Sequence, residues 1–187
     1  RYSYLGGLAS GGMVLLLDDM HTDTEISVRG LGMEIIDRMH QKGLCVYPPE
    51  NDRDPSVRTT QEMWEKWSRW GAFDFHRPKP HPIIFAASFD PDGFKQAALD
   101  MVGEANINLR LHSWFKSSLV EDGRITGVLV QSKEGTQAVL GDIVIDATGD
   151  LDVAVSAGAQ YSEDSFIVST VSRIGGVDTD AAEKFQY

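Results

Sequence analysis

One cysteine, Cys45, stands in the whole sequence, so the chain has no internal disulfide framework and no four-cysteine zinc or iron–sulfur site. A lone thiol reads as a small buried hydrophobe in a reducing compartment, here the cytoplasm. Long apolar runs are missing as well. The longest near the start, Met13-Val14-Leu15-Leu16-Leu17, cannot span a bilayer, and no basic segment precedes it as in a secretory signal. Positive charge is scarce: 17 basic residues face 28 acidic ones, a net charge of −11. That argues against a general nucleic-acid binder, which needs a basic surface. It does not exclude a small anionic cofactor, because a loop of backbone N–H groups holds phosphate without net positive charge.

What remains is ordinary globular composition, with 42% apolar and 24% charged residues among 187. This length suits one domain, or one core with a small lobe, and a complete fold of the size buries roughly 70% of its unfolded surface. The chain begins at Arg1 rather than Met, and its first residues read as the middle of something. A fragment or processed piece is therefore expected.

Apolar spacing places a helix from about Gly32 to Gln41, with Met33, Ile35, Ile36 and Met39 on it and Gly43 at its stop. Residues 47–60, rich in Pro, Asn and Asp, read as an excursion loop. A second helix is expected over 60–70, where Trp64, Trp67 and Trp70 fall within an arc of about 120°. Such a stripe is either a packed helix face, the favoured reading, or a sugar platform. Asp90-Pro91-Asp92 resembles a helix start, and Phe94, Ala97, Ala98, Met101 and Val102 continue it. Asn106 to His112 alternates like a half-buried strand. Glu121-Asp122-Gly123 and Lys133-Glu134-Gly135 are turn chemistry between alternating runs, which gives a three-stranded meander. Ile143, Val144 and Ile145 are consecutive, as in a parallel strand covered on both faces, and Leu151 to Ala157 continues as a helical turn. The order is that of an α/β fold.

Two small-residue bends are candidates for ligand binding. In Leu5-Gly6-Gly7-Leu8-Ala9-Ser10-Gly11-Gly12, paired glycines permit positive φ and bring N–H groups close to a phosphate or a flat ring. The same glycines equally serve plain tight packing. In Ile145-Asp146-Ala147-Thr148-Gly149-Asp150 the turn follows an expected buried strand, where open α/β sheets bind ligands. Alternatively Thr148 simply caps the next helix.

The two bends, the Asp90-Pro91-Asp92 start leading to Lys95, the run Val120-Glu121-Asp122-Gly123-Arg124-Ile125-Thr126-Gly127-Val128 and Ala157-Gly158-Ala159 occur in one order. In this the chain resembles the FAD-dependent oxidoreductase family, among the two-dinucleotide-fold flavoproteins of glutathione-reductase type. The resemblance covers almost the whole chain, most clearly 1–12 and 88–177. It implies an FAD/NAD(P)-binding, Rossmann-like parallel sheet with a three-stranded meander, incomplete at both ends. Residues 1–164 would be a partial FAD-binding domain with a helical and loop insertion at about 44–88, and 165–187 the start of a substrate-side lobe. Arg1 matches the residue after the acid that holds the adenosine ribose. Gly6, Gly7, Leu8, Ala9, Ser10, Gly11 and Gly12 match the loop along the FAD pyrophosphate. Phe115 matches the residue whose backbone meets the adenine, and Ala147, Thr148 and Gly149 match the turn closing over the cofactor. Leu151 stands where the family usually has a small residue. The implied partner is a small organic substrate exchanging hydride or electrons with the flavin. A second copy, or further chain segments, would complete the sheet. The chain alone is then expected to bind FAD weakly or not at all.

Other candidates carry less. Asp18, Asp19, His21 and Asp23 follow no metal-ligand spacing and read as a solvated acidic turn. His76 and His81 flank a Pro-rich loop, and His112 follows the alternating stretch. Arg173 is a single cation on a strand expected to lead into the lobe. The rival to a flavoprotein is a carbohydrate-binding module on the Trp64, Trp67 and Trp70 face, which needs those indoles exposed and coplanar.

Overall fold

Local capping chemistry sets most of the helices. The computed structural model describes residues 2–21, 25–54, 56–165, 168 and 170–186. They fall into two compact units, Tyr4–Ile107 with Thr170–Tyr187, and Arg1–Ser3 with Asn108–Ser169.

The first unit begins with a short helix α1 (Gly7–Gly11) and strand β1 (Leu16–Leu17). Helix α2 (Leu31–Gln41) stops at Gly43, whose φ of 72° lets its N–H reach the His40 carbonyl while the Leu44 N–H reaches that of Met39. Strand β2 (Cys45–Val46) follows at once, and helix α3 (Gln61–Ser68) starts where the Thr60 hydroxyl accepts the Met63 N–H. Strand β3 (Ala87–Phe89) leads into helix α4 (Pro91–Glu104), capped by Asp90, whose carboxylate accepts the N–H groups of Asp92 and Gly93. The strands pair antiparallel in the order β1-β3-β2. Ile36 and Met39 of α2 pack with Phe85, Ala87, Phe89 and Ala97 to form the main core. Each of the larger side chains buried there stabilises the fold by about 1.5–3 kcal/mol. Arg38 ties the outer faces of α2 and α4 by bonding both Glu34 and Glu104. A last helix, α6 (Thr179–Gln186), also belongs to this unit.

The second unit is the meander. Strands β4 (Trp114–Glu121), β5 (Arg124–Ser132) and β6 (Gly135–Leu140) pair antiparallel in sequence order. Asp122 and Gly123, at φ 49° and 75°, form the two-residue turn with both φ values positive that matches strand twist. Helix α5 (Asp152–Ser156) lies on β4, where the Ser118 hydroxyl donates to the Val153 carbonyl and its N–H to the Ser156 hydroxyl.

Several expectations are corrected. Asn106 to His112 is not a strand: Asn106 and His112 have φ of 53° and 51°, which an extended chain cannot hold, and Ile107 is exposed. Residues 142–147 find no strand partner among the described residues, and Ile143 and Ile145 are each 85% exposed. Both sheets among the described residues are antiparallel, so a parallel sheet is not what the fold displays. Arg173 sits in irregular chain rather than on a strand. The indole platform also fails. Trp64 and Trp67 are 4% and 5% exposed, Trp67 packed with Ala72, Ile83 and Ala86 and Trp64 set edge-on to Phe73, while Trp70 lies past the end of α3. The favoured reading, a packed helix face, holds for Trp64 and Trp67 but not for Trp70.

Candidate functional site

The glycine segment builds a tight elbow rather than an extended loop. Gly6 and Gly7 have φ of 107° and 52°, and the chain then turns directly into α1. Most of the small size here answers to packing. A Cβ on Gly6 would strike the Phe94 ring and the Ser10 hydroxyl, one on Gly11 the Tyr4 ring, and one on Gly12 the Leu8 backbone. Gly7 differs: nothing lies within 4 Å of where its Cβ would stand. Ser10 is buried and its hydroxyl donates to the Leu5 carbonyl at 2.5 Å, so it tightens the elbow from within. Leu8 is exposed, whereas Ala9 packs against the main core. The elbow belongs to the first unit, and the Ala147–Gly149 turn to the second.

That second turn is organised by Asp146, a residue whose role the sequence reading passed over. Its Oδ1 accepts the Thr148 N–H at 3.0 Å and the Thr148 hydroxyl at 2.7 Å, and its Oδ2 accepts the Ala154 N–H at 2.9 Å. The Thr148 Oγ1 in turn accepts the Asp152 N–H at 2.9 Å. One side chain therefore closes the turn and caps α5, and the spacing Asp-x-Thr was the available signal. The Ala154 amide first, then the Thr148 hydroxyl and amide, hold the Asp146 carboxyl below its ordinary value. Gly149, at φ 97°, has nothing within 4 Å of a Cβ position. Leu151 takes a left-handed φ of 59° to start α5, a conformation that disfavours a branched side chain. Phe115 sits half-buried on β4 opposite Val130, next to a register shift before Ser117. Arg1 lies outside the described residues.

The weaker candidates separate. Among the described residues, no three His, Cys, Asp or Glu side chains gather as a metal ion would require. Asp23 lies outside the described residues. His81 packs against the rings of both Trp64 and Phe73, and its Nδ1 donates to the Arg77 carbonyl. Cys45 is buried, and burial, with Asp37 adding to it, pushes its thiol up to about 11, which removes it as a nucleophile at neutral pH. Among the described residues no helix is long and apolar enough to cross a membrane.

The mixed helix and strand content, the meander and the two small-residue turns define a class that the family comparison then names. The family model described as FAD dependent oxidoreductase matches residues 1–180. The chain belongs to that family, a group of flavoproteins with flavin-linked redox function. Among curated proteins and among solved structures, none matches the chain.

Proposed function

We propose that these residues form part of an FAD site and that the flavin held there exchanges hydride or electrons with a small organic substrate. In this reading Gly6 to Gly12 run along the pyrophosphate, Arg1 lies near the adenosine ribose, the Phe115 backbone meets the adenine, and Ala147, Thr148 and Gly149 close over the cofactor. The observation that carries it is the pair Gly7 and Gly149. Each holds a positive φ and leaves its Cβ direction open, so main chain can approach a flat or phosphorylated group there. Residues 5–12 contain no acid that would repel a pyrophosphate. The second turn, with Asp146, Asp150 and Asp152, suits hydroxyl donors better than phosphate. The Ser10 and Thr148 hydroxyls are engaged within the chain, so the backbone does most of the holding.

When bound, FAD supplies the redox chemistry, and the protein supplies binding and orientation. The same reading makes 142–147 a parallel strand once a partner strand is supplied from outside these residues, by a second copy or by further chain. It also makes 44–88 an insertion and 165–187 the start of a substrate-side lobe. Because the segment leading into the second turn is unpaired, binding is expected to be weak and the yellow colour to be lost on gel filtration.

The test is a titration followed by flavin anisotropy. Gly7→Val and Gly149→Val are each expected to weaken FAD binding at least tenfold, with thermal melts used to confirm folding. Trp70→Ala serves as the control and leaves binding unchanged. Wild-type affinity in both glycine variants overturns the site.

A further inference from the structure

In a chain of net charge −11, one cavity that uses none of the residues assigned to FAD is lined by as many basic as acidic side chains. The cavity, about 540 Å³, lies within the first unit and is lined by Arg53, Arg58, Arg77 and Lys79, with Ile83 and Phe85 among its apolar walls. That volume lies in the range of small-molecule sites, roughly 300–1,000 Å³.

Acids line it too, but each has a partner. Asp52 accepts the Trp67 indole N–H at 2.6 Å and the Lys66 ammonium at 3.0 Å. Asp54 accepts the Ser56 N–H and hydroxyl, Glu25 pairs with Arg29, and Asp74 pairs with Arg77. Arg53 and Arg58 are less fully matched. Arg53 donates from Nε to the Pro48 carbonyl and rests on the Phe85 ring, its guanidinium carbon 4.9 Å from the ring centre. These contacts anchor the guanidinium without an acid to neutralise it. Arg58 makes no hydrogen bond or ion pair among the described residues. His21, on the same wall, has a buried Nδ1 with no partner among the described residues.

Two guanidinium groups without carboxylate partners, one of them held over an aromatic ring beside apolar walls, match a planar anion on an apolar body. We propose that this cavity binds a small organic carboxylate, with Arg53 and Arg58 on the carboxylate and the more accessible apolar lining, Val57 and Ile84, against its body. The proposal does not depend on the flavin reading, and its test needs no FAD.

Isothermal titration calorimetry of the chain with benzoate, benzyl alcohol and inorganic phosphate distinguishes the possibilities. Benzoate is expected to bind saturably, and both benzyl alcohol and phosphate at least tenfold more weakly. Arg58→Gln is expected to weaken benzoate at least tenfold while leaving the melting temperature unchanged, since Arg58 is exposed and makes no hydrogen bond or ion pair among the described residues. Lys133→Gln, outside the cavity, leaves benzoate binding as it was. Absence of saturable benzoate binding, or equal binding by the Arg58 variant, overturns the proposal. So does benzyl alcohol or phosphate binding as tightly as benzoate, because the site would then read only the ring or only the charge.

Discussion

Replacing Trp67 by Phe separates one hydrogen bond from the packing around it. The indole is 5% exposed and donates to Asp52 at 2.6 Å, while Lys66 bonds the same carboxylate oxygen at 3.0 Å. A hydrogen bond to a charged group contributes about 1.5–3 kcal/mol. The lower end applies, because Lys66 keeps Asp52 partnered and its side chain is 24% exposed. The smaller ring leaves a void beside Ala72, Ile83 and Ala86 that adds about 1 kcal/mol. The expected loss is about 2–3 kcal/mol, or a melting temperature lower by roughly 5–10 °C for a chain of this length. The effect depends on pH. Burial alone would raise the Asp52 carboxyl, but the bonds from Trp67 and Lys66 outweigh it and hold the group below 3.8. Such a depressed carboxyl stabilises the fold above its unfolded value, and the contribution fades as pH falls through the folded value. Urea unfolding followed by circular dichroism should therefore show a gap between the two proteins that is wide at neutral pH and narrower in acid below 3.8. In an Asp52→Asn background the Trp67 change should cost less. A loss under roughly 0.5 kcal/mol, or a gap that ignores pH, would refute the reasoning.

Leu151→Gly is expected to raise the melting temperature, because glycine holds the left-handed φ of 59° without the strain of about 1 kcal/mol that Leu carries there. A lower melting temperature would mean that the Leu151 side chain matters more than its backbone. Cys45 should react with Ellman's reagent at pH 8 only after denaturant is added, since its thiol is buried and pushed up to about 11. Asp146→Ala should speed amide exchange through α5 by removing the acceptor for the Ala154 and Thr148 N–H groups. In the native protein that protection should weaken as acid protonates Asp146, whose carboxyl is held below its ordinary value by those bonds.

Much of the local architecture was legible because its signals act over a few residues. Asp90 announces its helix, Gly43 ends α2, and Asp122-Gly123 reverses the meander, each by a bond or a φ angle that needs no distant partner. The strand expected over 106–112 was misread, and the one over 142–147 finds no partner, for the opposite reason. Alternation or consecutive apolar residues describe a strand only when another strand accepts its hydrogen bonds, and none does so here among the described residues. The β1-β3-β2 sheet was missed because its strands are two or three residues long and are joined from distant parts of the chain. At the candidate site the glycines of 5–12 were visible. That Phe94, Tyr4 and Leu8 account for three of them, leaving Gly7 open, depends on tertiary packing. The cavity at Arg53 and Arg58 was hidden similarly, because these two are unremarkable until the acids beside them are seen to be occupied.

Hydrogen exchange read by mass spectrometry, with and without excess FAD, tests the flavin account most directly. Slower exchange in both 5–12 and 147–152, with 61–68 unchanged, is the predicted outcome. Flavin that binds by anisotropy yet protects only one of those stretches, or neither, would contradict it.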